Sequence, residues 1–160
     1  TKMKTTFFTL FFAFCFIIGN AQQKDYKPLL DTFFLHAENS FKDIAEQPND
    51  SSAFSPAKLK VDIGELKIGR FPYAITLNWI IPLAQSGKVQ SDVKEYIRTN
   101  FLGKSNYQIV SDGTEEEGYI TTNVYALKGN EKPLVFFKSI YFKSENEPEK
   151  SNFTIIIYEK

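Results

Sequence analysis

The sequence predicts an α+β domain, a two-layer sandwich in which a mostly antiparallel sheet of about six strands carries two helices on one face. Two segments repeat apolar residues at three- and four-residue steps, as amphipathic helices do, and six others are short and strand-like. Short polar loops join the last four strands, as hairpins require. The predicted order is helix, two strands, helix, four strands, which places both helices over one sheet face.

The first helix is predicted from about Pro28 to Gln47. Pro28 suits a first helical turn, and a polar loop follows from Pro48. The apolar positions that predict this helix are Leu30, Phe33, Phe34, Ala37, Phe41, Ile44 and Ala45.

Two strands are predicted next, because apolar and polar residues alternate over 59–63 and again over 73–81. Gly64 interrupts the alternation, and Leu66 and Ile68 resume it in the opposite phase. A bulge or tight turn at Gly64 would explain this change of phase.

A second helix is predicted over about 88–102, with Ser86 as its N-cap and Gly103 as its stop. Strands then follow over about 106–111, 118–128, 133–143 and 152–159. A similar order of elements occurs in nuclear-transport-factor-like and cystatin-like proteins, and in secretion-chaperone-like and β-lactamase-inhibitor-like sandwiches. This is similarity of element order alone, and a fold does not determine a function.

The first 21 residues are predicted to be a signal peptide that is removed, which leaves residues 22–160 as a single domain. Lys2 and Lys4 precede an apolar run of about a dozen residues, and small residues at Gly19 and Ala21 precede the predicted cut. The run is shorter than the roughly 20 residues of a bilayer span. We expect an exported protein of bacterial type, periplasmic or extracellular, without stable membrane insertion after cleavage. An uncleaved anchor is the alternative.

Cysteine usage and charge exclude several classes of protein. The single cysteine, Cys15, lies in the apolar run behind the large Phe14, unlike the lipidated cysteine of a lipoprotein signal. After cleavage the chain would contain no cysteine, which excludes disulfide scaffolds. The 19 basic and 19 acidic side chains balance, which argues against nucleic-acid binding. We expect no metal ligands and no cofactor, since there is one histidine and no phosphate-binding loop.

His36 and the acidic runs are the residues that an enzyme could use. His36 lies at the edge of the apolar stripe of the first helix, where a general base would need a partner such as Asp31 or Glu38. The run Glu115-Glu116-Glu117 is interpreted as a solvated hairpin tip, because the calcium-loop motif is absent. The sequence therefore predicts no catalytic residue.

Aromatic residues on the later strands are the most suggestive feature of the chain. The 133–143 strand carries large apolar groups in both phases, which a sheet with one wet face does not need. Both faces are then core, or the second face contacts a partner or lines a pocket. The residues predicted to bind a ligand or partner are Trp79, Tyr125, Phe137 and Tyr141.

Three functions remain open. The sequence favours a noncatalytic interaction or binding module, resembling an inhibitor, an immunity protein or an accessory factor. The alternative is a binder of a small apolar ligand, with a cone-like pocket of a few hundred Å³. An enzyme that uses His36 or a carboxylate in such a pocket ranks third. The identity of the ligand or partner and the oligomeric state are left open.

Overall fold

A computed structural model describes residues 24–47, 52–110, 115–116, 119–129 and 134–160, with the backbone alone for 115–116 and 119–123. The predicted signal segment 1–21 and the hairpin-tip residue Glu117 lie outside the described residues. The helices are α1 (Lys27–Ala37) and α2 (Gly87–Ile97). The strands are β1 (Phe54–Pro56), β2 (Glu65–Phe71), β3 (Ala74–Pro82), β4 (Tyr107–Ile109), β5 (Glu115–Glu116), β6 (Tyr119–Leu127), β7 (Leu134–Phe142) and β8 (Asn152–Tyr158).

These strands form one antiparallel sheet, which confirms the predicted α+β class. Seven of the described strands lie side by side in the order β1-β2-β3-β8-β7-β6-β4, and the short β5 pairs with the start of β6. The prediction of about six strands is roughly right: five of the predicted strands are present, β2 after Gly64 takes the place of the predicted 59–63 strand, and β1 and β5 are short additions. The C-terminal strand β8 lies in the middle of the sheet. Its alternate residues Phe153, Ile155 and Ile157 are buried under the helices.

The first helix ends at Ala37, earlier than the predicted Gln47. Ser40 and Phe41 adopt φ values of 58° and 57°, a region that breaks a right-handed helix. The N–H of Phe41 donates to the carbonyl of His36 at 2.9 Å, and the N–H of Lys160 donates to the carbonyl of Ala37 at 3.0 Å. Phe41 is nevertheless fully buried, so the apolar spacing predicted its burial correctly but its backbone wrongly.

The segment 59–63 is not a strand, although its alternation predicted one. The N–H of Ala57 still donates to the carbonyl of Leu66 on β2, and the chain leaves the sheet after it, where the N–H of Lys58 donates to the carbonyl of Ile44. The apolar side chains of 59–63 still pack against the core as half-buried residues. The sheet is resumed only at β2, directly after Gly64. The second predicted strand corresponds to β3, and the four later strands to β4, β6, β7 and β8.

A β-bulge explains the large apolar residues on both phases of β7. Tyr125 pairs with Phe137 and Ala126 pairs with Val135, which leaves Phe136 without a partner across the ladder. Phe136 and Phe137 therefore both turn towards the helices, where each lies 6.3 Å from the ring of Phe34 on α1. Both rings therefore lie on the one face that the helices cover, so these two residues do not make both faces of β7 core.

The second helix matches its prediction. α2 continues through a π-helical turn at Arg98–Leu102 that buries Phe101 and ends at Gly103. Ser86 precedes the helix but caps it with no side-chain hydrogen bond; its hydroxyl donates to the carbonyl of Leu83 instead. Within the described residues, neither helix is long and apolar enough to cross a membrane.

Candidate functional site

A cavity of about 440 Å³ lies between α2 and the strands β6, β7 and β8. One wall is a face of α2, and the other is formed by the strands β6, β7 and β8. The two walls differ in chemistry, because the helix contributes mainly polar groups and the sheet mainly aromatic rings. Cavities of this size are typical of small-molecule sites.

The helix wall is a stripe of α2 residues spaced at three and four positions. Gly87, Gln90, Ser91 and Lys94 line the cavity, with Val93 deeper in the wall. This spacing places them on one side of the helix. The core side of α2 carries buried Val89, Tyr96 and Ile97. Part of the polar face of α2 therefore lines the cavity.

The sheet wall consists of two cross-strand aromatic pairs with Ser139 between them. Tyr125 of β6 lies opposite Phe137 of β7, with ring centroids 5.6 Å apart. Tyr141 of β7 lies opposite Phe153 of β8, with centroids 5.4 Å apart. Burial raises the pKa of the Tyr125 phenol, which keeps this hydroxyl neutral and protonated at physiological pH.

A chain of hydrogen bonds joins the two walls. The hydroxyl of Tyr141 donates to Oε1 of Gln90 at 2.8 Å, and Nε2 of Gln90 donates to Oγ of Ser86 at 2.6 Å. Oγ of Ser86 donates in turn to the carbonyl of Leu83 at 2.8 Å. Both ends of the Gln90 amide are therefore engaged within the protein. This fixes the distance between helix and sheet before any ligand arrives.

Three of the four residues that the sequence predicts for binding meet at this cavity. Tyr125, Phe137 and Tyr141 all line it, although Phe137 is fully buried beneath its surface. Trp79 lies elsewhere, under α1, with its ring 5.7 Å from that of Tyr26 and 5.6 Å from that of Phe33. Its Nε1–H donates to the carbonyl of Ile63 at 2.9 Å. Trp79 thus packs within the core between helix and sheet.

His36 has an acidic partner, but a different one from either that the sequence suggests. Its Nδ1 lies 2.6 Å from Oδ2 of Asp43. Burial acts to raise the pKa of Asp43, but hydrogen bonds involving Asn39 and His36 outweigh it and lower that pKa. Asp31 instead accepts a hydrogen bond from the hydroxyl of Tyr96, whose oxygen lies 2.5 Å from Oδ1 of Asp31.

Neither His36 nor Asp43 lines the α2 cavity or the cavity at β1. Glu38, the other suggested partner, forms an ion pair with Lys160 at 3.0 Å. The His36–Asp43 pair links the end of α1 to the turn that follows it.

A second, shallower cavity of about 340 Å³ lies on the opposite face of the sheet, at the edge strand β1. Close to it, the rings of Phe71 and Tyr73 stack at 5.7 Å and that of Phe54 meets Phe71 edge-on at 5.5 Å. Tyr73 is 81% exposed and Phe54 is 41% exposed. The sequence analysis did not single out this aromatic cluster. The turn sequence around Pro72, with an aromatic residue on each side, was the available signal.

The described residues include no group of three histidine, cysteine, aspartate or glutamate side chains placed to hold a metal ion. The described lining of the α2 cavity likewise contains no carboxylate, imidazole or thiol. The arrangement is chemically suited to holding a molecule through apolar contact and hydrogen bonds. No protein-family model, curated protein or solved structure that was compared with this chain matches it.

Proposed function

We propose that this chain is a noncatalytic binding module that holds a small apolar ligand in the cavity between α2 and the sheet. The observation that carries the proposal is a half-open cavity of about 440 Å³ between one aromatic wall and one polar wall. Such a combination is typical of ligand sites, in which apolar contact supplies affinity and a few polar groups supply orientation.

The rigidity of the walls supports this function. The hydrogen bond between Tyr141 and Gln90 and the packing of Tyr125 on Phe137 exist without a ligand. A preformed site loses less conformational entropy on binding than a site that must first be ordered. Phe137 and Phe153 are buried, so the aromatic wall rests directly on the core.

An interaction module that docks a partner protein was the function that the sequence favoured. Its support in the structure is the cluster of Phe54, Phe71 and Tyr73, in which Phe54 and Tyr73 are exposed and Phe71 is half-buried. The cavity carries the stronger argument, because it places polar groups of α2 opposite aromatic rings of the sheet, whereas Phe54 and Tyr73 form an exposed surface patch.

The binding function can be tested with N-phenylnaphthylamine, a neutral aromatic probe whose fluorescence rises in apolar surroundings. We expect saturable binding at one site. Ser91→Phe, which places a ring in the cavity from an exposed helix position, should weaken the affinity about tenfold or more by occupying the volume. Ser91→Ala is the matched control and should bind as the original chain does. Equal affinity of the Phe variant would refute binding at this cavity.

Export is also part of the proposal, and the charged, apolar and small-residue sections of 1–21 support it. We expect the protein recovered from the periplasm of an expressing bacterium to begin at Gln22. N-terminal sequencing checks this, and disruption of the apolar run by Phe11→Asp should leave the chain in the cytoplasm. A periplasmic product that retains residues 1–21 would contradict the predicted cleavage.

A further inference from the structure

We infer that the ligand of the α2 cavity is an organic anion, an apolar body with one acidic head group whose charge lies against Lys94. This inference rests on the proposed binding function and names the chemical class of the ligand. It follows from the charge of the lining, from the groups on the helix wall that remain available to a ligand, and from the apolar character of the wall opposite.

The described lining of the cavity carries one charged side chain, and it is a cation. Lys94 lies on the cavity stripe of α2. Two cations nearby are already paired within the protein, Lys88 with Asp92 and Lys27 with Glu95. No carboxylate of the described residues lies within 4.0 Å of the Lys94 ammonium. A ligand in the cavity therefore meets a positive charge that the described protein does not compensate.

The donors available to an acidic group are adjacent on the helix. Gln90 cannot turn to a ligand without breaking its bonds to Tyr141 and Ser86. Ser91 lies three residues before Lys94, so its hydroxyl and the ammonium group stand on the same face one turn apart. A carboxylate accepts hydrogen bonds at both oxygens and thus suits this pair of donors.

The opposite wall determines which part of the ligand is apolar. That wall carries no charged side chain, because its described lining is Tyr125, Phe137, Ser139, Tyr141 and Phe153. Two cross-strand ring pairs, Tyr125 with Phe137 and Tyr141 with Phe153, make up most of it. An ionised group against that wall would lose its hydration without gaining a counter-charge. The acidic head must therefore face α2, and the apolar body must lie on the aromatic rings.

A matched pair of probes tests this charge preference on the purified chain. Anilinonaphthalene sulfonate shares the ring system of N-phenylnaphthylamine but carries one negative charge. In Lys94→Gln we expect the affinity for the sulfonate to fall about fivefold, the effect of a partly exposed charge pair. The affinity for the neutral probe should not change. Lys42→Gln is the control, because it removes an exposed lysine that does not line the cavity.

Lys94→Glu sharpens the test, because it reverses the charge while keeping a long side chain. We expect this variant to bind the neutral probe normally and to bind the sulfonate more weakly than Lys94→Gln does. In the original chain we expect the sulfonate to bind more tightly than the neutral probe, and high salt should reduce this difference in affinity.

The outcomes separate the inference from the function on which it rests. If both probes bind saturably and the loss of Lys94 changes neither affinity, the anion preference is refuted and the binding function stands. If neither probe binds saturably to the original chain, the proposed function itself is refuted.

Discussion

Replacement of Gly64 by alanine is expected to lower the free energy of unfolding by about 3 kcal/mol or more. Gly64 has φ of +71°, where an L side chain is strained. A Cβ at this position would clash with the carbonyl oxygen of Ile80 and lie 3.1 Å from Cα of Ile81. Both neighbours are backbone atoms of β3, which pairs with β2 on one side and β8 on the other. The strand cannot retreat without breaking its ladders.

Urea unfolding followed by circular dichroism measures this effect. The control is Gly103→Ala, since Gly103 has φ of −75° and nothing lies within 4 Å of a Cβ added there. We expect that variant to stay within about 0.5 kcal/mol of the original chain. If Gly64→Ala is as stable as Gly103→Ala, the close approach of Gly64 to β3 does not exist in solution.

Gly64 also shows how far the sequence predicts the fold. The change of apolar phase there indicates a local irregularity, and the structure places a left-handed residue at that point. The alternation over 59–63 predicts half-buried side chains, which is right, and a strand, which is wrong. Periodicity reports which side chains face the core. It does not report where the backbone finds its hydrogen bonds: the N–H of Lys58 bonds to the carbonyl of Ile44, in the turn after α1 and outside the strands.

The end of α1 illustrates the same limit. Phe41 and Ile44 continue the helical spacing and are buried as predicted, yet the helix has already ended. The compact turn from Glu38 to Ile44 returns both side chains to the core by another route. The end of the helix depends on contacts from residues distant in the sequence, such as the hydrogen bond that the N–H of Lys160 donates to the carbonyl of Ala37. A local pattern contains no information about such contacts.

The candidate site was predictable on its sheet side only. Aromatic residues concentrated on β6, β7 and β8 indicate a surface of interest, and Tyr125, Phe137 and Tyr141 meet there. The helix side has the composition of an ordinary solvated face, so Gln90 and Lys94 carry no distinguishing signal. They line the cavity only because α2 lies over β6, β7 and β8, and these strands become neighbours through the order β3-β8-β7-β6.

Asp92→Ala is expected to destabilise the fold by about 3 kcal/mol, because Asp92 links the start of α1 to α2. Its side chain is 3% exposed. One carboxylate oxygen accepts the backbone N–H of Tyr26 at 3.0 Å, at the start of α1, and the other pairs with Lys88 on α2. Removal of the carboxylate leaves the buried N–H of Tyr26 without this acceptor and removes one of the contacts that hold α1 against α2. Glu95→Ala is the control on the same helix, since it removes a solvent-exposed ion pair with Lys27 and should cost far less stability than Asp92→Ala.

The acid sensitivity of folding should identify Asp92 independently. Burial acts to raise the pKa of Asp92, but the hydrogen bonds from Lys88 and from the N–H of Tyr26 outweigh it and hold that pKa below the ordinary value. A carboxyl whose pKa is lower in the folded state stabilises the fold above its unfolded pKa, about 3.9, and loses that contribution as the pH falls through the folded value. The original chain should therefore lose stability below about pH 4 more steeply than Asp92→Ala. Parallel stability curves for the original chain and Asp92→Ala between neutral and acidic pH would contradict the role assigned to this carboxylate.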